Sequence, residues 1–207
     1  AAASERTLPH GKHVLLEKPI ASTEVEAREI INCAQQHKVK LMIGHIERFN
    51  PAITELKRRL DRGDLGDIYK IAVQRIGPFP GRITDVGVII DLSVHDLDII
   101  HYLIGAHPRR VFAETQQRLH PHCEDAVTAL LNYDKGILAV LNINYLSPTK
   151  IRQLQVFGKK GMFEANYLDQ ELFFYENKSF SSDTWESVTE GDMKKIIITK
   201  KEPLQAE

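Results

Sequence analysis

Two groups of ionisable residues in this chain are spaced so that they can move a proton together. The first is Glu17-Lys18-Pro19, joined further on by His45 and Glu47. Each part follows a short apolar run, His13–Glu17 and Val39–Ile43. In open parallel sheets ligands bind beyond the carboxyl ends of the strands, so a lysine, a histidine and two carboxylates are delivered to one rim. A Lys18–Pro19 bond can be cis at low cost, which fixes the direction of the lysine in a tight turn. The second group is Asp91, His95 and Asp98. Asp91 and His95, four apart, share a helix face, where a carboxylate sets the tautomer of an imidazole and raises its basicity. His95 is a candidate general base, with Asp91 as orienter or proton relay. Each group also has a structural reading: a surface Glu–Lys pair with a solvated histidine, and an N-cap at Asp91 with a satisfied core histidine.

The elements that carry these residues are legible in the apolar periodicity. Val39–Ile43 and His13–Glu17 read as buried strands. Between them Thr23 and Glu26 form a capping-box pattern, and Ala27, Ile30, Ile31 and Ala34 make the stripe of an amphipathic helix. His37 and Lys38 fall in its last turn, where they suit the helix dipole. Strand, helix and strand make a parallel βαβ unit. A helix is expected over Pro51–Arg62, stopped by Gly63, then a strand over Ile68–Gln74 and a loop over Gly77–Gly81. A mostly buried helix is expected over Asp91–Ile104, closed by Gly105. Strand-like runs follow at Ala126–Asn132, Ile137–Tyr145, Arg152–Phe157, Met162–Ala165, Leu172–Tyr175 and Lys195–Thr199, with hairpin connections at Asp134–Gly136 and Gly158–Gly161. Successive strands without intervening helices predict an antiparallel sheet. The fold class is α+β. A lone βαβ cannot cover its parallel sheet, and Glu202–Glu207 reads as a helical turn that stops at once, so the chain reads as a piece of a longer protein.

Composition narrows the function classes. Lysine and arginine number 27 against 28 aspartates and glutamates, a balance that argues against nonspecific attraction to nucleic acid or anionic membranes. Cys33 and Cys123 have no paired spacing, so no disulfide scaffold is expected and a cytoplasmic location is. No apolar run approaches the ~20 residues that cross a bilayer, and Ala1–Arg6 lacks the apolar core of a signal peptide. His120-Pro-His122-Cys123-Glu124-Asp125 has ligand-type side chains in a spacing that matches no zinc pattern, so no metal is expected. His101 and His107 flank a helix end and read as structural. No P-loop, nucleophile elbow or G-x-G-x-x-G occurs in the sequence.

Four segments in order carry a family resemblance. Gly11-Lys-His-Val-Leu-Leu-Glu17-Lys18-Pro19 resembles the E-K-P segment of the Gfo/Idh/MocA oxidoreductases. Gly44-His45-Ile-Glu-Arg48-Phe49-Asn50-Pro51 is similar to the next segment of that family, and Asp91-Leu-Ser-Val-His95-Asp96 to its catalytic helix. Glu124-Asp125 and the turn Ser147–Arg152 fit the strands that follow. The resemblance implies a remnant of a Rossmann domain over residues 1–48 and, over 49–207, an α/β domain with a large, mostly antiparallel open sheet for substrate and subunit contacts.

It also implies hydride transfer between a sugar or cyclitol carbon and NAD or NADP. Lys18 would touch the reacting hydroxyl, His95 would be the acid/base and Asp91 its partner, while Glu17, Pro19 and His45 would lie near the nicotinamide. Within the family the segments look most like enzymes acting on nucleotide-linked amino sugars. The glycine-rich loop that holds the pyrophosphate is absent from this sequence, so this polypeptide alone is expected to bind the dinucleotide weakly and to turn over poorly. A noncatalytic sugar-binding or oligomerisation module is the alternative. Half-covered apolar strands predict a homodimer or homotetramer packed through the antiparallel sheet.

Overall fold

The computed structural model describes residues 7–81, 85–177 and 191–207; Ala1–Arg6 lies outside them. The chain forms two compact units, one of Ala1–Ile46 with Glu207 and one of Glu47–Ala206.

The first unit contains β1 (Val14–Glu17), α1 (Glu24–Gln36) and β2 (Leu41–Gly44). The two strands pair in parallel, with Val14 opposite Leu41 and Glu17 opposite Gly44. The capping box forms: Thr23 Oγ1 accepts from the Glu26 N–H, and Glu26 Oε2 accepts from the Thr23 N–H. Helix α1 buries Ile30 and Ala34 against Leu8, Val14 and Leu41. Ile31 departs from the expected stripe and is 42% exposed, because one residue past Ile30 turns it ~100° away from the sheet. His37 and Lys38 lie just beyond the helix and not in its last turn; His37 is the C-cap and Lys38 adopts a left-handed φ of 54°. The strand face bearing Leu15 and Met42 is exposed.

The second unit runs α2 (Pro51–Asp61), β3 (Ile68–Pro78), a π-helical turn (Ile89–Ser93) continuing into α3 (Val94–Ile104), β4 (Arg110–Gln116), β5 (Ala126–Asn132), β6 (Leu138–Asn144), β7 (Leu146–Gly158), β8 (Gly161–Asn166), β9 (Glu171–Glu176), β10 (Met193–Ile196) and the short α4 (Pro203–Ala206). Eight strands form one sheet in the order β10-β9-β8-β7-β3-β6-β5-β4. It is mostly antiparallel, but β3 and β6 pair in parallel. The mostly antiparallel sheet is as expected, and β3 and β6 can be parallel neighbours because the chain between them crosses over through α3, as parallel neighbours require.

Period-two alternation sends Ile71, Val73, Leu141, Leu154 and Val156 inward, where they meet Ile53 and Leu56 of α2 and Ile99 and Ile100 of α3. Each such side chain contributes about 1.5–3 kcal/mol on burial. On the other face the strand register aligns Phe112, Leu130, Val140 and Ala72 in an apolar row. Phe112 and Leu130 in that row are 63% and 41% exposed. Beside it runs a polar row of Thr128, Asn142, Gln74, Gln153 and Asn166.

Three boundaries differ from expectation. β3 continues through Gly77 and Pro78, expected as loop, because Pro78 pairs with Leu146 after a register shift. The expected turn Ser147–Arg152 lies within β7; its turn-type residues are drawn into the ladder against β3. The last strand-like run, expected over Lys195–Thr199, starts and ends earlier, at Met193–Ile196, opposite Tyr175–Leu172. Among the described residues no helix is long and apolar enough to cross a membrane.

Candidate functional site

In the first unit the parallel register brings the predicted rim residues together. Because Glu17 sits opposite Gly44, Lys18 and His45 leave adjacent strands at the same carboxyl edge. The Lys18–Pro19 peptide is cis. A Cβ at the buried Gly44 would stand 3.1 Å from the Glu17 carboxyl group, so the bare glycine is what lets that carboxylate fold across the strand end. Lys18 and His45 are half-buried, and Glu17 and Pro19 are exposed.

In the second unit the helix that carries Asp91 and His95 begins earlier than expected. Helical structure starts at Val88. Its first donors are taken by Glu124, whose backbone oxygen accepts the Val88 N–H at 2.9 Å and whose Oε1 accepts the Ile89 N–H at 3.1 Å. Gly87 leaves room for that carboxylate, since any Cβ there would collide with it. Asp91 therefore lies inside the helix, and the N-cap reading of it falls. It sits in the π turn, closed by the Val94 N–H on the Ile89 oxygen, and such turns recur at functional sites. The Tyr145 hydroxyl donates to Asp91 Oδ2 at 2.5 Å. Tyr145 is itself buried, and its backbone N–H donates to the Asp125 oxygen. A residue at the end of β6 thus fixes one carboxylate oxygen of Asp91 one helical turn before His95, whose ring is half-buried with Nδ1 inside the fold.

The other side of this helix is clamped by charges that the sequence reading did not assign. Arg75, at an inward position of β3, donates from Nε and Nη2 to Asp96 at 2.6 and 3.1 Å and from Nη1 to Glu47 at 3.0 Å. Arg75 and Asp96 are each 1% exposed, and the Arg75 guanidinium lies over the Tyr167 ring. Burial opposes the charge on Arg75, but Asp96 and Glu47 outweigh it and hold its pKa above the ordinary value. Burial pushes the Asp96 carboxyl up, with Arg75 pulling it back. Asp98 accepts a bidentate pair from Arg48 at 2.8 and 2.6 Å. The Glu47-Arg48 step therefore holds α3 directly, through Arg48 on Asp98, and braces the Arg75 of β3 that holds Asp96. A signal was available: Arg75 interrupts the inward run Ile71, Val73, and an inward charge in a period-two pattern demands a buried partner.

The histidine-rich loop is structural. His120 is buried, and its Nδ1 accepts the His122 and Cys123 N–H groups at 3.1 and 2.8 Å. His101 stacks on His107. Among the described residues no group of three His, Cys, Asp or Glu could hold a metal ion. Asp125 accepts the N–H groups of Arg118, Leu119 and His120. Burial raises its carboxyl pKa, but these donors win and hold it below the ordinary range. Its contribution is thus present above the unfolded value near ~3.9 and lost as pH falls through the folded one. Asp125→Asn is expected to lower stability by about 1–3 kcal/mol at pH 7. That deficit should shrink toward pH 3 in urea titrations, and an equal deficit at both pH values would refute the assignment.

Residues 53–164 match the family described as GFO/IDH/MocA C-terminal domain, and residues 2–45 the oxidoreductase family with an NAD-binding Rossmann fold. The chain is 31% identical over 174 residues to the UDP-N-acetylglucosamine 3-dehydrogenase of Acidithiobacillus ferrooxidans, covering 84% of this chain and 54% of that protein. A solved structure of that enzyme superposes with a TM-score of 0.87 at 29% identity, covering 100% of this chain and 63% of the other. The scyllo-inositol 2-dehydrogenase (NAD(+)) of Bacillus subtilis is 28% identical over 148 residues, covering 67% and 43%. The chain spans about half the length of these curated relatives.

Proposed function

Because the chain belongs to the Gfo/Idh/MocA family of NAD-binding oxidoreductases, we propose that it carries the acid/base machinery of a dehydrogenase acting on a nucleotide-linked amino sugar. Bound nicotinamide supplies the hydride acceptor. The residues present fit its reactive end: a parallel strand pair with Glu17, Lys18, Pro19 and His45 at its carboxyl edge, where α/β sheets hold ligands. The pyrophosphate loop is not among these 207 residues. In the oxidising direction the Lys18 ammonium polarises the reacting hydroxyl. His95 takes the O–H proton, and the C–H pair leaves as hydride, so the alcohol becomes a ketone. Asp91, held by Tyr145, orients the imidazole.

The observation that carries this reading is the double fixation of one helix, by Tyr145 on Asp91 and by Arg75 on Asp96, on either side of the His95 position. The similarity to the A. ferrooxidans enzyme supports the amino-sugar substrate over a cyclitol. The exposed apolar row around Phe112 supports packing of this sheet on a second copy. The full-length protein is expected to reduce NAD with UDP-N-acetylglucosamine, not with free myo-inositol, and to sediment as a dimer or tetramer. Turnover of inositol alone would move the substrate to the cyclitols; no turnover of either would favour the noncatalytic module, and a monomer would remove the sheet contact.

A further inference from the structure

A small cavity opens beside Asp91 and Tyr145, lined also by Arg75, Lys150 and Arg152, with a volume of about 100 Å³. That is room for about three waters and far below the ~300 Å³ at which whole-ligand pockets begin. It suits one compact group of a larger ligand.

Its charge is lopsided: three cations face a single lining carboxylate, Asp91. The cations differ in one respect. Each guanidinium nitrogen of Arg75 donates to Asp96 or Glu47, whereas Lys150 and Arg152 make no side-chain hydrogen bond or ion pair with any described residue. Strand register sets Arg152 directly opposite Arg75, a like-charge placement that destabilises a sheet. Burial, and next the charge of Arg75, pull the Arg152 guanidinium below its ordinary pKa; Glu47, Asp96 and Asp91 offset this only in part. The stem of Lys150 lies across Gly77 on the neighbouring strand, 3.4 Å from where a Cβ would be. A half-buried guanidinium without an acceptor costs free energy unless an anion arrives, and guanidinium with ammonium is the donor set that takes phosphate or carboxylate.

We propose that Lys150 and Arg152 form an anion subsite that holds an oxyanion group of the substrate beside the carbon undergoing oxidation. This rests on the dehydrogenase reading. With a nucleotide-linked sugar the oxyanion is the diphosphate; with a uronic acid it is the carboxylate.

The test uses the full-length protein saturated with NAD, so that the cofactor's own phosphate site is filled. Calorimetry is run with inorganic pyrophosphate and with glucuronate, and kinetics with UDP-N-acetylglucosamine. Lys150→Met and Arg152→Met are each expected to raise the KM for the UDP-sugar about 10- to 100-fold and to weaken pyrophosphate similarly, with the Kd for NAD unchanged. Arg152→Lys should recover part of the loss. Arg152→Met should not lower Tm, because it removes a like-charge pair; a purely structural arginine would lower it. Unchanged KM and pyrophosphate Kd in an enzyme active on UDP-sugars overturn the subsite and leave the dehydrogenase reading standing. If the protein does not turn over UDP-sugars, the titrations still decide. Pyrophosphate or glucuronate binding that is lost in Arg152→Met supports the subsite, the tighter ligand naming the anion; binding of neither overturns it.

Discussion

Arg75→Met is expected to cost about 3–5 kcal/mol of folding stability, the range for removing one partner of a buried ion pair. The loss is large because Asp96 is 1% exposed and would lose both of its bonds from Arg75, while Glu47 would lose the third. Asp96→Asn should cost less, since Glu47 still accepts from Arg75 at 3.0 Å. The double variant Arg75→Met/Asp96→Leu should recover part of the loss, because the charge then left without Arg75 is Glu47, whose side chain is 16% exposed, and no longer the fully buried Asp96. The pH response gives a second readout. Burial already holds the Asp96 carboxyl above its ordinary range, and without Arg75 only the smaller pull of Arg152 opposes it. The folded Arg75→Met variant then holds a proton that the unfolded chain releases near pH ~3.9. Its stability is fully present below that value and falls as pH rises through the folded pKa. Urea unfolding at pH 4 and pH 7 measures this. Single variants each costing under 1 kcal/mol, or a double variant as unstable as the sum, would show that the pair is not a buried unit.

What could be read from the chain alone was what is local. The capping box, the βαβ order and the burial of Ile30 and Ala34 depend on contacts within one turn or one strand pair, and the residue types carry that information. Asp91 and His95 stood out because polar groups interrupting an apolar helix are conspicuous. Arg75 and Asp96 were not paired, because a strand and a helix 21 residues apart meet only through tertiary packing. Periodicity shows that Arg75 points inward but not toward what. The π turn has no compositional mark: the helix start is held by Glu124 while Asp91 is held by Tyr145, two contacts from residues far along the chain. Ser147–Arg152 misled for the opposite reason. Its Ser-Pro-Thr sequence has turn chemistry, and pairing with β3 overrides it. The residues hardest to foresee are thus those that hold the helix, while the residues proposed to act on substrate were the easiest to see.

His95→Ala in the full-length protein is expected to lower kcat by about 10²- to 10⁴-fold, the span usual for loss of a positioned general base. The Kd for NAD should stay unchanged, since the residue is assigned to the proton and not to the dinucleotide. In the oxidising direction a base must be unprotonated to accept the hydroxyl proton, so the acidic limb of the rate profile should disappear with it, and added imidazole should restore part of the rate. Lys18→Met removes the ammonium proposed to stabilise developing alkoxide charge, for which losses of about 10²- to 10³-fold are typical; here the acidic limb should persist. Tyr145→Phe is a subtler probe. It leaves both titratable groups in place but removes the 2.5 Å bond that Tyr145 donates to Asp91, so it should lower kcat more than it raises KM and shift the limb without abolishing it. The two deletions should combine less than additively if both act on the same oxygen. An enzyme that keeps more than a tenth of its kcat in His95→Ala, with the acidic limb intact, assigns the proton transfer elsewhere, and the fixation of this helix would then serve folding alone.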